Sequence, residues 1–458
     1  MNPRSLKRAL TVATLIALGA TASAVSLASA PPVAGTAPPS ADLAALTGTA
    51  LSGYQSASPT ATGAPSLAAS AATVAASGAA SATSSASATF SPSLTPAPSV
   101  SGAVFASANA ATGPASTSSS IGLFAYDMGA ASSRSSAGWQ AAAHNDSLLI
   151  GEAGIYSKWI PQLHAWNPKL TILVYNLGPY LAKGSSDFAT IEQQDPSWFA
   201  HDARGKLINL PMFPGNYLMN TGNAGFRAWH AQQLAATVKA DGFDGALDDS
   251  MGDAVLGSYG SGTPIDTATG KPYTDAEYLA NSVLMLNADK AALAGKYLAF
   301  NGLISGSEYM SATSILATSN ADAGMSEHFL REPMTSMASF PSTSEVADTL
   351  AMMSSLAARG KAFLGFSKVW ASASSSQVAK WEQYTLAVYL LGKGSADYLD
   401  FMPSKKADNT VVSYSNMQDQ LGAPLGAYTT NGSTLSRSFQ HGSVSLNTGT
   451  DTGTITVT

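Results

Sequence analysis

Between Ile121 and Phe401 the chain repeats one unit: a short, nearly continuous apolar run, then a longer stretch with helical texture. The runs are Ile121–Asp127, Ser147–Glu152, Leu170–Asn176, Phe243–Asp249, Lys296–Asn301, Ala323–Phe329, Lys361–Ser367 and Asp397–Phe401. Strands apolar on both faces belong to a parallel sheet covered by helices. Helices are expected over Tyr156–Trp166, Phe226–Lys239, Asp275–Leu293, Ser344–Arg359 and Gln377–Leu391. Eight such strands in ~280 residues fit a (β/α)8 TIM barrel, class α/β, over residues 121–404. A doubly wound open sheet would place a glycine-rich phosphate loop after its first strand, and Asp127-Met128-Gly129 is not one.

The flanks read differently. Arg4, Lys7 and Arg8 precede an apolar run to about Ala22, followed by Ala22-Ser23-Ala24 and Ala28-Ser29-Ala30. Residues 1–30 therefore read as a secretory signal peptide, which predicts a secreted protein, extracellular or held at the cell wall. The run is short for a bilayer span, and no later segment reads as transmembrane. Residues 31–120 are rich in Ala, Ser, Thr and Pro, and only Asp42 among them carries charge. Such a stretch has too few large apolar side chains to offset its ordering entropy and is expected to be a disordered linker. Over residues 405–458, Thr434–Gln440, Ser443–Leu446 and Thr454–Val457 alternate between turn residues, predicting a small C-terminal antiparallel β domain.

Composition narrows the chemistry. The chain has no cysteine, which excludes disulfides, thiolate metal sites and a cysteine nucleophile. A net charge of -6 without a dense basic run argues against nucleic acid as a partner. There is no G-x-S-x-G elbow and no H-E-x-x-H helix, and the six histidines are scattered. Asp248, Asp249 and Asp253 do not follow the spacing of a calcium loop. No metal or cofactor is expected, and the chain is expected to act as a monomer.

Barrel chemistry collects at the C-terminal ends of the strands. Asp127, Glu152, Tyr175, Asn176, Asp248, Asp249, Asn301, Glu327, Ser367 and Trp370 stand there. Carboxylates and amides beside aromatic rings suit a sugar, whose hydroxyls need paired donors and acceptors and whose faces stack on rings. Strand alternation sends Asp248 and Asp249 to opposite sides, so one faces the mouth and the other is free to hold a loop or helix start. The fourth and sixth strands are separated by one neighbour, so a carboxylate from each can meet across the mouth. Such a pair is what glycosidic cleavage needs: one ionised group and one proton donor. Without such a meeting the chain would be a non-catalytic carbohydrate-binding or cell-envelope protein on a degenerate barrel.

The segments Tyr156–Tyr175, Asp195–Lys206, Lys239–Ser250, Gly324–Leu330 and Leu421–Thr429 together resemble the hypothetical glycosyl hydrolases of bacteria, distantly similar to α-galactosidase and dextranase barrels. The resemblance runs from Ile121 to about Tyr428. It implies a glycoside hydrolase, with Asp248 as nucleophile, Asp249 as the second choice, and Glu327 as acid/base. The expected activity is cleavage of O-glycosidic bonds in a poly- or oligosaccharide by retention, for which the two carboxyl groups would stand ~5–5.5 Å apart, against ~6.5–9.5 Å for inversion. Asp127, Glu152, Tyr175, Asn176, Asn301, Ser367 and Trp370 are then expected to bind substrate. A general acid must hold its proton, so Glu327 is expected to titrate above the ordinary glutamate range.

Overall fold

The computed structural model describes residues 121–458, apart from 130–132, 253–260, 395, 408–410, 413 and 419–420. The signal-peptide and linker readings, and Asp253, lie outside the described residues. All eight expected strands form: β1 (Phe124–Tyr126), β2 (Leu148–Gly151), β3 (Thr171–Asn176), β4 (Gly245–Asp248), β5 (Tyr297–Asn301), β6 (Ala323–Ser326), β7 (Ala362–Lys368) and β8 (Tyr398–Met402). They pair in parallel in chain order. A parallel bridge between Leu123 and Leu399 brings the last strand back to the first. At that seam the Tyr126 amide donates to Asp400 Oδ2 at 3.1 Å, so a side chain supplies a bond the short ladder lacks.

A helix follows each of the first seven strands: α1 (Ser136–Asn145), α2 (Ile160–Trp166), α3 (Ala224–Asp241), α4 (Asp275–Ala292), α5 (Gly306–Ser311), α6 (Thr343–Ala358) and α7 (Ser375–Gly392). Their starts are written locally. Thr274 with Glu277, Ser342 with Glu345 and Ser374 with Gln377 form capping boxes on α4, α6 and α7. The single helix expected over Tyr156–Trp166 is instead two pieces, Ala153–Tyr156 and α2. Pro161 is the reason: it lacks an amide proton and suits the first turn of a new helix, not the middle of an old one.

Two apolar shells result. One fills the barrel with Phe124, Ile150, Leu173, Leu247, Met325 and Phe366 among others. The other lies between the strands and the helix ring, and includes Trp139, Tyr156, Phe226, Leu286, Met353 and Trp381. The β3–α3 connection is long and carries a three-stranded sheet of Tyr180–Ala182, Phe213–Leu218 and Asn209–Leu210. After β8 the chain forms an antiparallel sheet, β9 (Thr429–Asn431), β10 (Thr434–Phe439), β11 (Gly442–Asn447) and β12 (Thr452–Val457), packed on α7. Among the described residues no helix is long and apolar enough to cross a membrane.

Candidate active site

Strand parity decides which side chains reach the mouth. Leu173, Leu247, Ala299, Met325 and Phe366 point into the barrel. Two residues further along each strand, on the same side, stand Tyr175, Asp249, Asn301, Glu327 and Lys368. Five consecutive strands thus end in polar groups around one point, directly above the apolar plug.

Asn301 joins the two carboxylates. Its Nδ2 donates to Asp249 Oδ1 at 2.7 Å and to Glu327 Oε2 at 2.6 Å. Laid end to end those bonds cap the separation of the two oxygens at about 5.3 Å. Asp249 Oδ1 also accepts from the Ser250 amide at 2.8 Å, and Asp249 Oδ2 from the Tyr175 hydroxyl at 2.7 Å. Lys368 Nζ reaches Glu327 Oε1 at 2.5 Å. The lysine is only 4% exposed and lies 4.5 Å from the Phe366 ring centre and 5.5 Å from that of Trp370.

These surroundings split the pair. Burial and the negative charge of Glu327 push Asp249 up to about 6, against hydrogen bonds from Tyr175, Asn301 and Ser250. Burial pushes Glu327 up as well, but the charges of Lys368 and His328 and the bonds from Lys368 and Asn301 outweigh it. Its carboxyl lies at about 2. The expectation that Glu327 titrates above an ordinary glutamate is therefore reversed, and the cause is Lys368. That lysine was not among the expected site residues. It ends an otherwise apolar run, KAFLGFSK, where a buried charge needs a partner, and that was its available signal.

Several expected residues face the other way. Asp248 is fully buried and turned to the helix layer, where Oδ1 accepts from Asn176 Nδ2 at 2.7 Å. Asn176 Nδ2 also lies 2.8 Å from His230 Nε2 on α3, and His230 Nδ1 lies 2.9 Å from Asp289 on α4. Burial and the charge of Asp289 push the Asp248 carboxyl well above the usual range. Asp127 also points outward: Arg134 donates to both its oxygens at 2.6 and 2.7 Å, and Tyr156 donates to Oδ2 at 2.5 Å. Ser367 is buried on the outward side of β7, its hydroxyl without a hydrogen-bond partner among the described residues. Thus Asp127, Asn176, Asp248 and Ser367, expected at the mouth, stand between sheet and helices. Glu152 has inward parity and is partly exposed, and burial raises its carboxyl. Trp370 is partly exposed beside Lys368, with Lys405 Nζ 5.6 Å from its ring centre.

The loops that leave these strands are under backbone strain. Ser250 (φ 60°), Ile304 (φ 64°) and Leu330 (φ 68°) take left-handed conformations just beyond β4, β5 and β6. Such geometry is unfavourable for side-chain-bearing residues and clusters at functional sites. Here it falls on the strands that deliver Asp249, Asn301 and Glu327. Among the described residues no cluster of three His, Cys, Asp or Glu is placed to hold a metal ion.

The family model described as hypothetical glycosyl hydrolase family 15 matches residues 164–443, more than half of the chain. The chain belongs to this family. The hypothetical glycosyl hydrolase family 15 match includes Tyr175, Asp249, Asn301, Glu327 and Lys368, and leaves out Asp127 and Glu152. No curated protein matches the sequence. Solved structures that it is similar to include a cycloisomaltooligosaccharide glucanotransferase from Paenibacillus sp. (14% identity, 53% of this chain and 38% of that one, TM-score 0.39). Others are Ega3 of Aspergillus fumigatus (14% identity, 64% and 96%, TM-score 0.36) and the maltogenic α-amylase AmyB of Thermotoga neapolitana (10% identity, 72% and 86%, TM-score 0.42). The chain thus spans well under half of the first, and likenesses this distant carry no argument about activity.

Proposed function

We propose that this member of hypothetical glycosyl hydrolase family 15 hydrolyses O-glycosidic bonds of an oligo- or polysaccharide with retention, and that Asp249 and Glu327 are its catalytic pair. The observation that carries the reading is the single Asn301 amide held between the two carboxylates. Retaining pairs stand ~5–5.5 Å apart, whereas inverting pairs leave ~6.5–9.5 Å for a water. The cap of about 5.3 Å set by the Asn301 bonds supports retention. It also supports an enzyme over a binding module, for which nothing would hold two carboxylates together at such electrostatic cost.

Tyr175, Asn301 and Lys368 hold the pair, and Trp370 offers a partly exposed ring at the rim for a sugar face. We read residues 1–30 as the segment that exports the chain. That reading rests on the basic start and the apolar run, and the N-terminal sequence of protein recovered from culture medium tests it.

The activity is tested on a panel of α- and β-linked glycans, with the anomer of the first product followed by proton NMR. Release of the substrate's own anomer is expected, and its loss in both Asp249→Asn and Glu327→Gln. Release of the opposite anomer would overturn retention. Undiminished turnover in either variant would overturn the pair.

A further inference from the structure

The four oxygens of the two carboxylates are not equivalent in what they can accept. Glu327 Oε1 faces the Lys368 ammonium and Oε2 faces the Asn301 amide. The ammonium can only donate, and the Asn301 amide nitrogen donates as well. Asp249 Oδ1 likewise faces two donors, the Ser250 amide and Asn301 Nδ2. Asp249 Oδ2 faces the Tyr175 hydroxyl, which both donates and accepts. A proton shared by the pair is therefore better placed on Asp249 Oδ2, where the Tyr175 hydroxyl can accept it, than on the carboxylate that faces an ammonium.

Resting on the glycosidase reading above, we propose that Lys368 divides the labour of the pair: by pairing with Glu327 it makes the β6 carboxylate the nucleophile and leaves Asp249, after β4, as the acid/base. This is the reverse of the order that the family resemblance implies. Lys368 acts through Glu327 and is a positioning residue. In the first step Glu327 bonds to the anomeric carbon as the glycosidic C–O bond breaks, and the Asp249 proton passes to the leaving oxygen. In the second, water attacks the same carbon, gives its proton to Asp249, and the Glu327 ester bond breaks to restore the carboxylate.

The electrostatic surroundings agree with the geometry. Glu327 meets Lys368 from β7, Asp249 from β4 and His328 beside it, and Glu332 pairs with that histidine at 3.2 Å. Asp249 meets Glu327 from β6 and Tyr175 from β3. Asp400 on β8 is a further carboxyl near Lys368; burial pushes it up to about 8, against the opposing pull of the lysine charge.

The test needs no substrate. Carboxyl carbon NMR is recorded against pH on the full chain labelled at Asp Cγ and Glu Cδ, with the two resonances assigned by their loss in Asp249→Asn and Glu327→Gln. Glu327 is expected to stay ionised well below the pH at which Asp249 takes its proton. Lys368→Met should raise the Glu327 midpoint by at least ~1 pH unit, and Lys368→Arg should keep it low. Glu327 titrating above Asp249 in the wild type, or a Glu327 midpoint unmoved in Lys368→Met, would overturn the assignment. If Lys368→Met does not fold, Lys368→Gln is read in the same way. A second arm uses the dinitrophenyl glycoside of whichever sugar the wild type releases. There Asp249→Asn should still form the glycosyl-enzyme and regain turnover with azide, while Glu327→Gln should do neither; the opposite pattern would sink the proposal. Absence of any glycan cleavage by the wild type would defeat the glycosidase reading and leave the titration order to be judged separately.

Discussion

Asp248 and Asp249 are neighbours in sequence with opposite surroundings, and substitution should separate them cleanly. Asp248 is buried, and burial with the charge of Asp289 raises its carboxyl well above the usual range. Asparagine is nearly the same shape and keeps an oxygen to accept from Asn176. Asp248→Asn is therefore expected to retain activity within about tenfold, whereas Asp249→Asn should lose roughly 10²–10⁴-fold on a natural glycan, the usual worth of a general acid. Steady-state kcat/KM on one glycan checks both. A large loss in Asp248→Asn with an unchanged melting temperature would show that the outward carboxyl has a direct part in the chemistry. The pH profile follows from Asp249 and Glu327. Asp249 must be protonated and sits at about 6, and Glu327 must be ionised and sits at about 2. Activity should then be highest in the acidic range and fall about tenfold per unit as pH rises above 6. A kcat/KM that climbs between pH 6 and 8 would contradict that sign.

At the scale of the elements, glycines let the strand exits press together. A Cβ on Gly252 would stand 2.1 Å from the Gly302 carbonyl oxygen, and one on Gly178 would stand 2.1 Å from the Asp249 carbonyl oxygen. The Met251 amide then bonds the Asn301 carbonyl at 2.8 Å, tying the β4 exit to the residue that bridges the carboxylates. Gly252→Ala should force these loops apart, costing about 1–3 kcal/mol by overpacking. It should lower kcat as well, because Asn301 moves with the backbone. Thermal melting and kcat together check this, and an unchanged kcat at reduced stability would detach the loop contact from the site. The strands themselves were legible because eight runs apolar on both faces admit little else. That same two-sided burial hid their parity. In a strand such as Gly245–Asp248, every position is buried, so periodicity could not say whether Asp248 or Asp249 turns inward, or that Asn176 and Asp127 turn out. Lys368 was missed because the seventh run was read as ending at Ser367, one residue short. The β3–α3 insertion has no continuous apolar pattern, and its exposed segment Pro211–Gly215 lacks even a buried face to read.

At the scale of the whole molecule, the C-terminal sheet is fastened to the barrel at the end of α7. The last carbonyls of a helix have no partners within it. Arg437 on β10 supplies them: its Nη1 donates to the carbonyls of Leu390, Leu391 and Lys393 at 3.0, 3.0 and 2.8 Å. Its Nε holds the Gly426 carbonyl at 2.9 Å, so one guanidinium joins the helix to the approach of the sheet. On the same helix, Gly453 of β12 comes so close that a Cβ would lie 2.8 Å from the Gln383 carbonyl oxygen and from Ala387 Cβ. The neighbouring α7 side chains Tyr384, Val388 and Leu391 are buried, and α7 packs on β8, the strand that delivers Asp400. Detaching the sheet should therefore loosen the barrel near its seam rather than release an independent unit. Arg437→Met keeps the aliphatic stem and removes every donor. It should cost about 2–4 kcal/mol, since bonds from a charged donor are each worth about 1.5–3 kcal/mol and water replaces part of that. The expected readout is a single melting transition lowered by several degrees, with both the near-ultraviolet aromatic signal and the sheet signal lost together. Two separate transitions, with the barrel melting as in the wild type, would show instead that sheet and barrel are stable apart.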